Sequence, residues 1–157
     1  MRSFKITDLL IFITATELVG AVSALFSGGS FSGYYKTLVK PPIAPPGSVF
    51  PVAWVLLYAL MASACYLIYL SNHSHKHLAM KLYILQLFVN FLWSPVFFGT
   101  KNLLAAAVIA SVLLLLVCLT SIVFFRISDT AGVLFLPYLL WTAYALYLTI
   151  GFLVLNK

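Results

Sequence analysis

The chain has 157 residues, of which 64% are hydrophobic and only 8% are charged, and its formal net charge is +6. A water-soluble domain of this size needs far more charge to cover its surface, so the composition excludes one. The nine basic residues are spread among loops and the ends of apolar segments, where lysine and arginine anchor membrane spans, so the positive charge does not indicate nucleic-acid binding.

Five apolar segments follow one another along the chain. Each is close to the ~20 residues that an α-helix needs to cross a ~30 Å hydrocarbon core. Because the connections after the first are short, sequence neighbours should pack antiparallel in a compact bundle. We therefore predict one all-α integral membrane domain, residues 1–157, with five transmembrane helices and a long ordered loop between the first two. The predicted spans are residues 6–27, 49–70, 78–98, 103–125 and 131–155.

The first predicted span carries Glu17, the only acidic residue deep within any span. A carboxylate at that depth is rare in membrane proteins and is a functional hypothesis by default. The alternative is an interhelical hydrogen bond that serves packing alone. The span interiors offer no second carboxylate and no basic partner, so the sequence shows no proton relay. Both interpretations of Glu17 stay open.

The connection between the first two spans is unusually long at about 20 residues, whereas most connections in compact domains have about 4–6. Two proline pairs, at 41–42 and 45–46, restrict φ and hold the chain extended. Ser48 follows them and is the predicted N-cap of the second span. A long, rigid, aromatic connection among short loops is where a binding site is expected.

Each of the second, third and fifth spans carries one tryptophan on a helical stripe of aromatic, amide or small residues. On the third span, the amide side chains of Gln86 and Asn90 share a face with the tryptophan. If the three stripes converge, they line an aromatic pocket that suits a large, flat, apolar ligand. The predicted pocket residues are Trp54, Tyr58, Asn90, Trp93, Trp141 and Ala145.

A simpler explanation exists for the aromatic residues. Tryptophan and tyrosine are enriched in the interfacial belts of membrane proteins, and Trp54, early in the second span, fits a belt position. The interfacial belt does not account for Asn90, because a carboxamide near the middle of a span must face a partner or a cavity. A bridge between two helices would also satisfy it, so packing and ligand binding both stay open for Asn90.

The chain carries no standard catalytic set: it has no paired carboxylates, no buried histidine beside a serine or cysteine, and no glycine-rich phosphate loop. His73, His75 and His77 lie in one short loop without a cysteine or carboxylate nearby. Such a loop is a poor metal site and is typical of a solvated interfacial segment. We therefore predict no metal and no cofactor, and a conventional hydrolytic enzyme is disfavoured.

Three segments carry a specific pattern. The first runs Tyr35-x-x-Leu38-x-Lys40-Pro41-x-x-x-Pro45-Pro46-x-x-x-Phe50-Pro51-x-x-Trp54-x-x-x-Tyr58. The others are Gln86-x-x-x-Asn90-Phe91-x-Trp93-Ser94-Pro95-x-Phe97-Phe98-Gly99 and Pro137-Tyr138-x-x-Trp141-x-x-x-Ala145. In this order they resemble the translocator protein family, also called tryptophan-rich sensory proteins or peripheral-type benzodiazepine receptors. The resemblance covers nearly the whole chain.

The resemblance implies a five-helix membrane bundle, often dimeric, in which the first loop forms a lid over a pocket open to one side. Members of that family bind porphyrins such as protoporphyrin IX and synthetic isoquinolines and benzodiazepines. Some bacterial members are reported to degrade protoporphyrin in light, and Trp54 and Trp141 match the tryptophans tied to that activity. By position the family's pocket matches Trp54, Asn90, Trp141 and Ala145, and its lid matches Tyr35, Lys40, Pro41, Pro45 and Pro46.

The chain departs from the family pattern at several positions. Tyr34 and Ile43 stand where the family often has tryptophan, and Thr149 stands where asparagine is usual. The loss of two loop aromatics is expected to loosen the lid or to alter ligand choice. Animal members bind cholesterol through a segment with a basic residue within five positions of a tyrosine, whereas Lys157 lies ten beyond Tyr147. Cholesterol binding is therefore not supported.

Together, the residues and the resemblance predict a membrane receptor for tetrapyrroles such as protoporphyrin IX, with light-dependent porphyrin degradation through Trp54 and Trp141 as a further expectation. A transporter of porphyrin or another small amphiphile is one alternative, and a ligand sensor without catalysis is another. The predicted partners are the porphyrin or another small apolar ligand, membrane lipid and a second copy of the chain.

The membrane that holds the protein follows from weaker signals. Five basic residues would face one side and four the other, so the charge distribution predicts no orientation. No amphipathic, arginine-rich presequence precedes the first span, which favours a bacterial cytoplasmic membrane over a mitochondrial outer membrane.

Overall fold

The computed structural model describes residues 3–28 and 31–157, with the backbone alone at residues 31 and 32. Within these residues five helices are long and apolar enough to cross a membrane, and no strand is present, which confirms the predicted all-α five-span bundle. The helices are α1 (Ile6–Phe26), α2 (Phe31–Thr37), α3 (Val49–Leu70), α4 (Lys76–Ser94), α5 (Leu103–Ile127) and α6 (Asp129–Leu155), and a π-helical turn, Pro95–Gly99, extends α4.

The core of the bundle lies between α3, α4, α5 and α6. Large side chains from each helix are fully or almost fully buried there, including Met61, Tyr83, Val117 and Phe135. Close packing of this kind is a main source of helix association in lipid, because lipid tails are as apolar as leucine and leave little hydrophobic driving force between helices.

Helix α1 lies outside this core, against α3 and α4. Its only buried residues among those described are polar, Thr16 and Ser23. The Thr16 Oγ1 lies 2.9 Å from the Tyr83 hydroxyl, and the Ser23 hydroxyl donates to the Phe91 carbonyl oxygen at 2.7 Å. These interhelical hydrogen bonds add to ring contacts that Phe12 and Phe26 make with α3 and α4.

The first loop contains a short helix that the sequence analysis did not predict. Helix α2 ends at Thr37, before the prolines that keep the following residues extended. Seven residues are too few for a stable isolated helix, so tertiary packing must hold it. Tyr35 supplies that packing: its side chain is 2% exposed, and its ring contacts Phe50 and Phe152 at centroid distances of 5.4 and 5.6 Å.

Ser48 stands at the N-cap position of α3, as predicted, and α3 begins at Val49, but the expected side-chain capping bond is absent. Ser48 already has helical backbone angles, φ −67° and ψ −18°, and its hydroxyl caps nothing. The Val49 N–H donates instead to the Pro46 carbonyl oxygen at 3.0 Å. The turn at the end of the loop therefore continues directly into α3.

Several spans are longer than the apolar runs alone indicate. The third begins at Lys76, and Ser128 alone separates α5 from α6, where the predicted spans leave residues 126–130 as a connection. The Ser128 hydroxyl accepts from the Ala131 N–H at 3.3 Å and caps α6. A cap lets a helix begin among polar residues, which is why hydropathy alone places the start of α6 too late.

Helix α4 changes its hydrogen-bonding pattern at Pro95, which has no N–H to donate. In the π-helical turn that follows, the Thr100 N–H donates to the Pro95 carbonyl oxygen at 3.0 Å. The side chains of Phe97 and Phe98 are buried in this turn. Short π-helical insertions of this type occur often at functional sites.

Candidate ligand-binding site

A cavity of about 460 Å³ lies between α1, α3 and α4, and we call it the α1 cavity. Small-molecule sites in proteins typically measure about 300–1,000 Å³, so this volume suits an organic ligand. Two further cavities, of about 20 and 10 Å³, lie beside α6, and each has room for about one water molecule. The α1 cavity is lined by Glu17, Gly20, Ala21, Ser23, Ala24, Phe50, Pro51, Trp54, Val55, Tyr58, Asn90, Trp93 and Ser94.

The wall that α1 contributes is made of small residues. Gly20, Ala21 and Ala24 repeat at the helical spacing that keeps them on one face, one turn after Glu17. Gly20 is required for close packing as well, because a Cβ at this position would collide with the ring of Tyr58. The cavity exists because this face of α1 supplies backbone and methyl groups where the other helices supply rings.

The opposite wall is aromatic and comes from α3. Trp54 and Tyr58 lie one turn apart, with ring centroids 5.3 Å from each other and planes tilted by 30°. On its other side Trp54 meets Trp141 of α6 edge-on, at 6.4 Å and 82°. Trp54 therefore presents an aromatic surface to the α1 cavity and is itself held in place by a second tryptophan.

Asn90 is buried and engaged in a hydrogen-bond chain that crosses the bundle. Its amide nitrogen donates to the Tyr138 hydroxyl at 2.8 Å, and that hydroxyl donates to the Gln86 side-chain oxygen at 2.7 Å. The Tyr58 hydroxyl lies 3.5 Å from the Asn90 amide oxygen, which is a long contact. Asn90 thus bridges helices, as one interpretation of the sequence held, and lines the α1 cavity as well.

The structure places four of the six predicted pocket residues on the α1 cavity: Trp54, Tyr58, Asn90 and Trp93. Ala145 instead lines the two small cavities, which it shares with Trp93. Trp141 packs between Trp54, Phe50 and Tyr144 and lines none of the three cavities. The three predicted stripes do converge, but the open volume lies on the α1 side of that meeting point.

Three buried N–H groups near this meeting point have no hydrogen-bond partner among the described residues. They are the indole nitrogens of Trp93 and Trp141 and the amide nitrogen of Gln86. Buried donors are normally paired, and an unpaired one costs roughly 1–3 kcal/mol. Of the three, the Trp93 N–H belongs to a residue that borders the α1 cavity, where it can bind an acceptor group on a ligand or an ordered water molecule.

The predicted lid residues lie together over the α4 and α6 ends of the bundle. The Tyr35 hydroxyl donates to the Pro45 carbonyl oxygen at 2.6 Å, and the Lys40 ammonium lies 4.7 Å from the Tyr35 ring centroid. Burial, followed by the influence of Tyr144, raises the pKa of Tyr35, so the hydroxyl keeps the proton that it donates. Pro41 packs against Gly151 of α6, where a Cβ would lie 2.6 Å from the proline ring.

Sequence reasoning missed the residues that tie the lid to α6. The Tyr144 and Tyr147 hydroxyls donate to the carbonyl oxygens of Ile43 and Pro42, at 2.6 and 2.9 Å. The Asn156 side chain accepts from the Val39 N–H at 2.8 Å and donates to the Val39 carbonyl oxygen at 2.9 Å. The spacing of the two tyrosines, i and i+3 on one face, is a sequence signal that could have indicated this contact.

Two further groups singled out by the sequence lie in different environments. Glu17 is half-buried on the α1 cavity and has no hydrogen-bond partner among the described residues. His73, His75 and His77 are exposed in the loop between α3 and α4, and the His75 N–H donates to the His73 ring at 3.1 Å. Within residues 3–28 and 31–157, no three His, Cys, Asp or Glu side chains form a metal-binding cluster.

Comparison with known proteins agrees with this architecture. Residues 12–155 match the TspO/MBR family. The tryptophan-rich protein TspO of Chlorobaculum tepidum is 34% identical over 97% of this chain and 98% of its own length. The tryptophan-rich sensory protein of Cereibacter sphaeroides is 38% identical over 88% of this chain and 86% of its own length. The translocator protein of Bos taurus is 31% identical over 85% of this chain and 81% of its own length. This chain is therefore a membrane protein of the TspO/MBR family.

Proposed function

We propose that this protein binds flat, apolar tetrapyrroles such as protoporphyrin IX in the α1 cavity. The observation that carries the proposal is the aromatic wall formed by Trp54 and Tyr58 along a cavity of about 460 Å³. Aromatic faces favour offset stacking with a planar π-system, and the small residues of α1 leave the opposite side open. The resemblance of the chain to porphyrin-binding family members supports the same ligand class.

The residues around the cavity have different roles in this proposal. Trp54 and Tyr58 contact the ring of the ligand, and Asn90 holds Tyr58 and Tyr138 in register with it. Trp141 acts behind Trp54 rather than on the ligand, because the two indoles meet edge-on and Trp141 does not line the cavity. Substitution of Trp54 should therefore weaken binding more than substitution of Trp141.

The direct test titrates the purified protein in neutral detergent with protoporphyrin IX in the dark, while tryptophan fluorescence is followed. Saturable quenching is expected in the wild type. Trp54→Phe should weaken the affinity strongly, whereas Trp141→Phe should weaken it less. Phe88→Leu is the matched control, since Phe88 is exposed on the outside of α4 and its loss should change nothing. Absence of saturable quenching would reject the proposal.

A second function, light- and oxygen-dependent porphyrin breakdown, is favoured by the contact of Trp54 with Trp141 at 6.4 Å. Trp54 and Trp141 would relay an electron to the photoexcited porphyrin and recover it, so that neither is consumed. Molecular oxygen would be the oxidant: its two atoms add across one methine C=C bond of the ring, which breaks as two C=O bonds form. Illumination of the bound complex tests this: porphyrin absorbance should fall in the wild type and persist in Trp141→Phe. If the porphyrin stays intact in both the wild type and Trp141→Phe, the protein is a carrier or a sensor and does not degrade porphyrin. Flux of porphyrin into sealed vesicles would then identify a carrier.

We propose the cytoplasmic membrane of a bacterium as the location. Relatives in Chlorobaculum tepidum and Cereibacter sphaeroides support a bacterial setting. Expression with a terminal fluorescent tag in a bacterial host, followed by separation of inner and outer membranes, tests it. Recovery in the inner membrane is expected.

A further inference from the structure

We propose that the α1 cavity selects ligands that carry a basic nitrogen on a flat aromatic body, and that Glu17 is the counter-ion of that nitrogen. This inference rests on the proposed use of the α1 cavity as a ligand site and names the chemistry of its polar end. The geometry that carries it is a single free carboxylate facing a cavity otherwise walled by aromatic and small side chains.

Glu17 lies on the same face of α1 as the small residues that shape the cavity. Gly20, Ala21 and Ala24 follow it by three, four and seven positions, which is one continuous helical stripe. Glu17 is also near the middle of α1, which runs from Ile6 to Phe26. Its carboxylate therefore lies at membrane depth, at one end of the volume that the small residues leave open.

The serine hydroxyls and the carboxamide that line the cavity already have partners in the fold. The Ser23 hydroxyl donates to the Phe91 carbonyl oxygen, and the Ser94 and Ser27 hydroxyls lie 2.7 Å apart. Asn90 is bound to Tyr138. Among the polar groups described on this cavity, Glu17 makes no hydrogen bond, and the Trp93 indole N–H is also unpaired. Glu17 is thus the one side chain of this set that carries a negative charge when ionised.

The fold supplies no cation to neutralise Glu17. No ion pair forms between the described side chains, and the described lysines and Arg126 lie at helix ends or in loops. A buried charge is costly unless it is paired, and intramembrane carboxylates pair with another group or face a water-filled cavity. A ligand ammonium would provide the pairing that the protein lacks, with a charge-assisted hydrogen bond to the carboxylate.

The aromatic wall strengthens this preference for a cation. Trp54 and Tyr58 line the same cavity as Glu17. Tryptophan and tyrosine faces attract cations through the ring quadrupole, and the interaction gains strength away from water. A carboxylate together with two aromatic rings suits a protonated amine attached to a flat ring system. The same carboxylate disfavours ligands whose carboxylate groups would have to lie beside it.

The cavity is accessible to such a ligand. Ala21, Ala24 and Val55 on its border are exposed, so it opens on the outside of the bundle between α1 and α3. Apolar amines partition into the bilayer with the charged group held towards the interface, and entry between two helices keeps the flat body in an apolar environment throughout.

The experiment compares two probes of one ring system, 9-aminoacridine and acridine, at a mildly alkaline pH at which the first is a cation and the second is neutral. Both are titrated against the purified full-length protein in neutral detergent, with the quenching of tryptophan fluorescence as the readout. Wild-type protein should bind 9-aminoacridine at least tenfold more tightly than acridine. Equal affinities would overturn the inference without any variant.

Variants then test whether Glu17 causes the preference for 9-aminoacridine over acridine. Glu17→Gln keeps the shape and removes the charge, so it should weaken 9-aminoacridine binding by roughly ten- to a hundredfold, as expected for loss of a charge-assisted hydrogen bond, and leave acridine unchanged. Asp8→Asn is the matched control, because it removes the same charge from the first turn of α1, away from the cavity. Ala24→Phe fills the cavity and should weaken both probes. An unchanged preference in Glu17→Gln contradicts the assignment.

The same samples separate this inference from the proposed function. If protoporphyrin IX binds through Trp54 while the acridine pair shows no dependence on Glu17, the inference fails and the proposed function stands. If 9-aminoacridine binds through Glu17 and protoporphyrin IX does not bind, the ligand class of the proposed function is wrong and Glu17 keeps its role. If the affinity for protoporphyrin IX rises in Glu17→Gln, the result would support both the proposed function and the role of Glu17, because the carboxylate would no longer repel the carboxylates of the ligand.

Discussion

The two sides of Trp54 differ in how completely they are filled. On the α1 side a cavity of about 460 Å³ lies against Gly20, Ala21 and Ala24, whereas the α6 side leaves only about 20 and 10 Å³. The same tryptophan thus borders a ligand-sized space and a nearly solid core. The difference shows that in this bundle the size of the facing side chains, and not the aromatic residues themselves, determines where a ligand can bind.

The way each neighbouring helix is held explains the contrast. Helix α6 packs against the core through large rings, such as Phe135 and Tyr138, both fully buried. Helix α1 is attached through hydroxyl groups, through a close contact of Gly20 with Tyr58, and through Phe12 and Phe26, whose rings contact α3 and α4 towards the two ends of the helix. Between these contacts α1 presents small side chains, so an open volume can remain there.

The substitution with the largest expected effect is Trp54→Ala, because it removes the side chain that separates the α1 cavity from the packed region beside α6. Removal of the indole should lower the free energy of unfolding by about 1–3 kcal/mol, less than the loss of a fully buried tryptophan because Trp54 is only partly buried, and should abolish saturable protoporphyrin binding. Thermal unfolding in detergent and fluorescence titration measure the two effects. Phe88→Ala, on the exposed face of α4, should change neither. Retained binding in Trp54→Ala would place the ligand elsewhere.

Gly20→Ala tests the close approach of α1. The added methyl group collides with the Tyr58 ring, so the ring must move into the cavity or α1 must move away, at a cost of about 1–3 kcal/mol. Ligand affinity should fall as well. Gly33→Ala is the control, because a Cβ there meets nothing within 4 Å and should alter stability by less than about 0.5 kcal/mol. Equal effects of the two substitutions would contradict the packing at Gly20.

Tyr138→Phe tests the polar chain behind the cavity. Loss of the hydroxyl leaves the Asn90 amide nitrogen and the Gln86 side-chain oxygen without their partner, which should cost about 1–2 kcal/mol in the free energy of unfolding. The Tyr83→Phe variant, which removes one hydroxyl bonded only to Thr16, should cost less. Thermal unfolding of both variants in one detergent provides the comparison, and the reverse order would refute the central role of Tyr138.

The smallest effect is expected at the lid. Tyr147→Phe removes one hydrogen bond to the Pro42 carbonyl oxygen and should cost about 0.5–1.5 kcal/mol locally. Hydrogen exchange of the residue 38–48 amides should become faster, while amides in α5 keep their protection. Tyr69→Phe, at the end of α3 where the ring contacts Phe12 of α1, serves as a control for the change of a tyrosine outside the loop. Unchanged exchange in the lid would show that the Tyr144 and Asn156 contacts suffice.

The sequence predicted the class of fold and the helices that carry the site. Apolar run length set the number of spans, because each must cross the hydrocarbon core. The tryptophan and asparagine stripes on the second and third spans were correctly placed facing one interior region, since helical periodicity assigns side chains to faces. Helix α2 was missed because seven residues have no helical tendency of their own and depend on Tyr35 packing against Phe50 and Phe152.

Sequence by itself therefore determined that this protein spans a membrane five times and which helical faces carry its aromatic and amide side chains. Tertiary structure decided that the open volume lies against α1 rather than α6, that Glu17 borders it, and that tyrosines of α6 hold the lid. The physical reason is that periodicity and hydropathy are properties of one helix at a time. A cavity depends instead on the difference in bulk between faces that belong to separate helices.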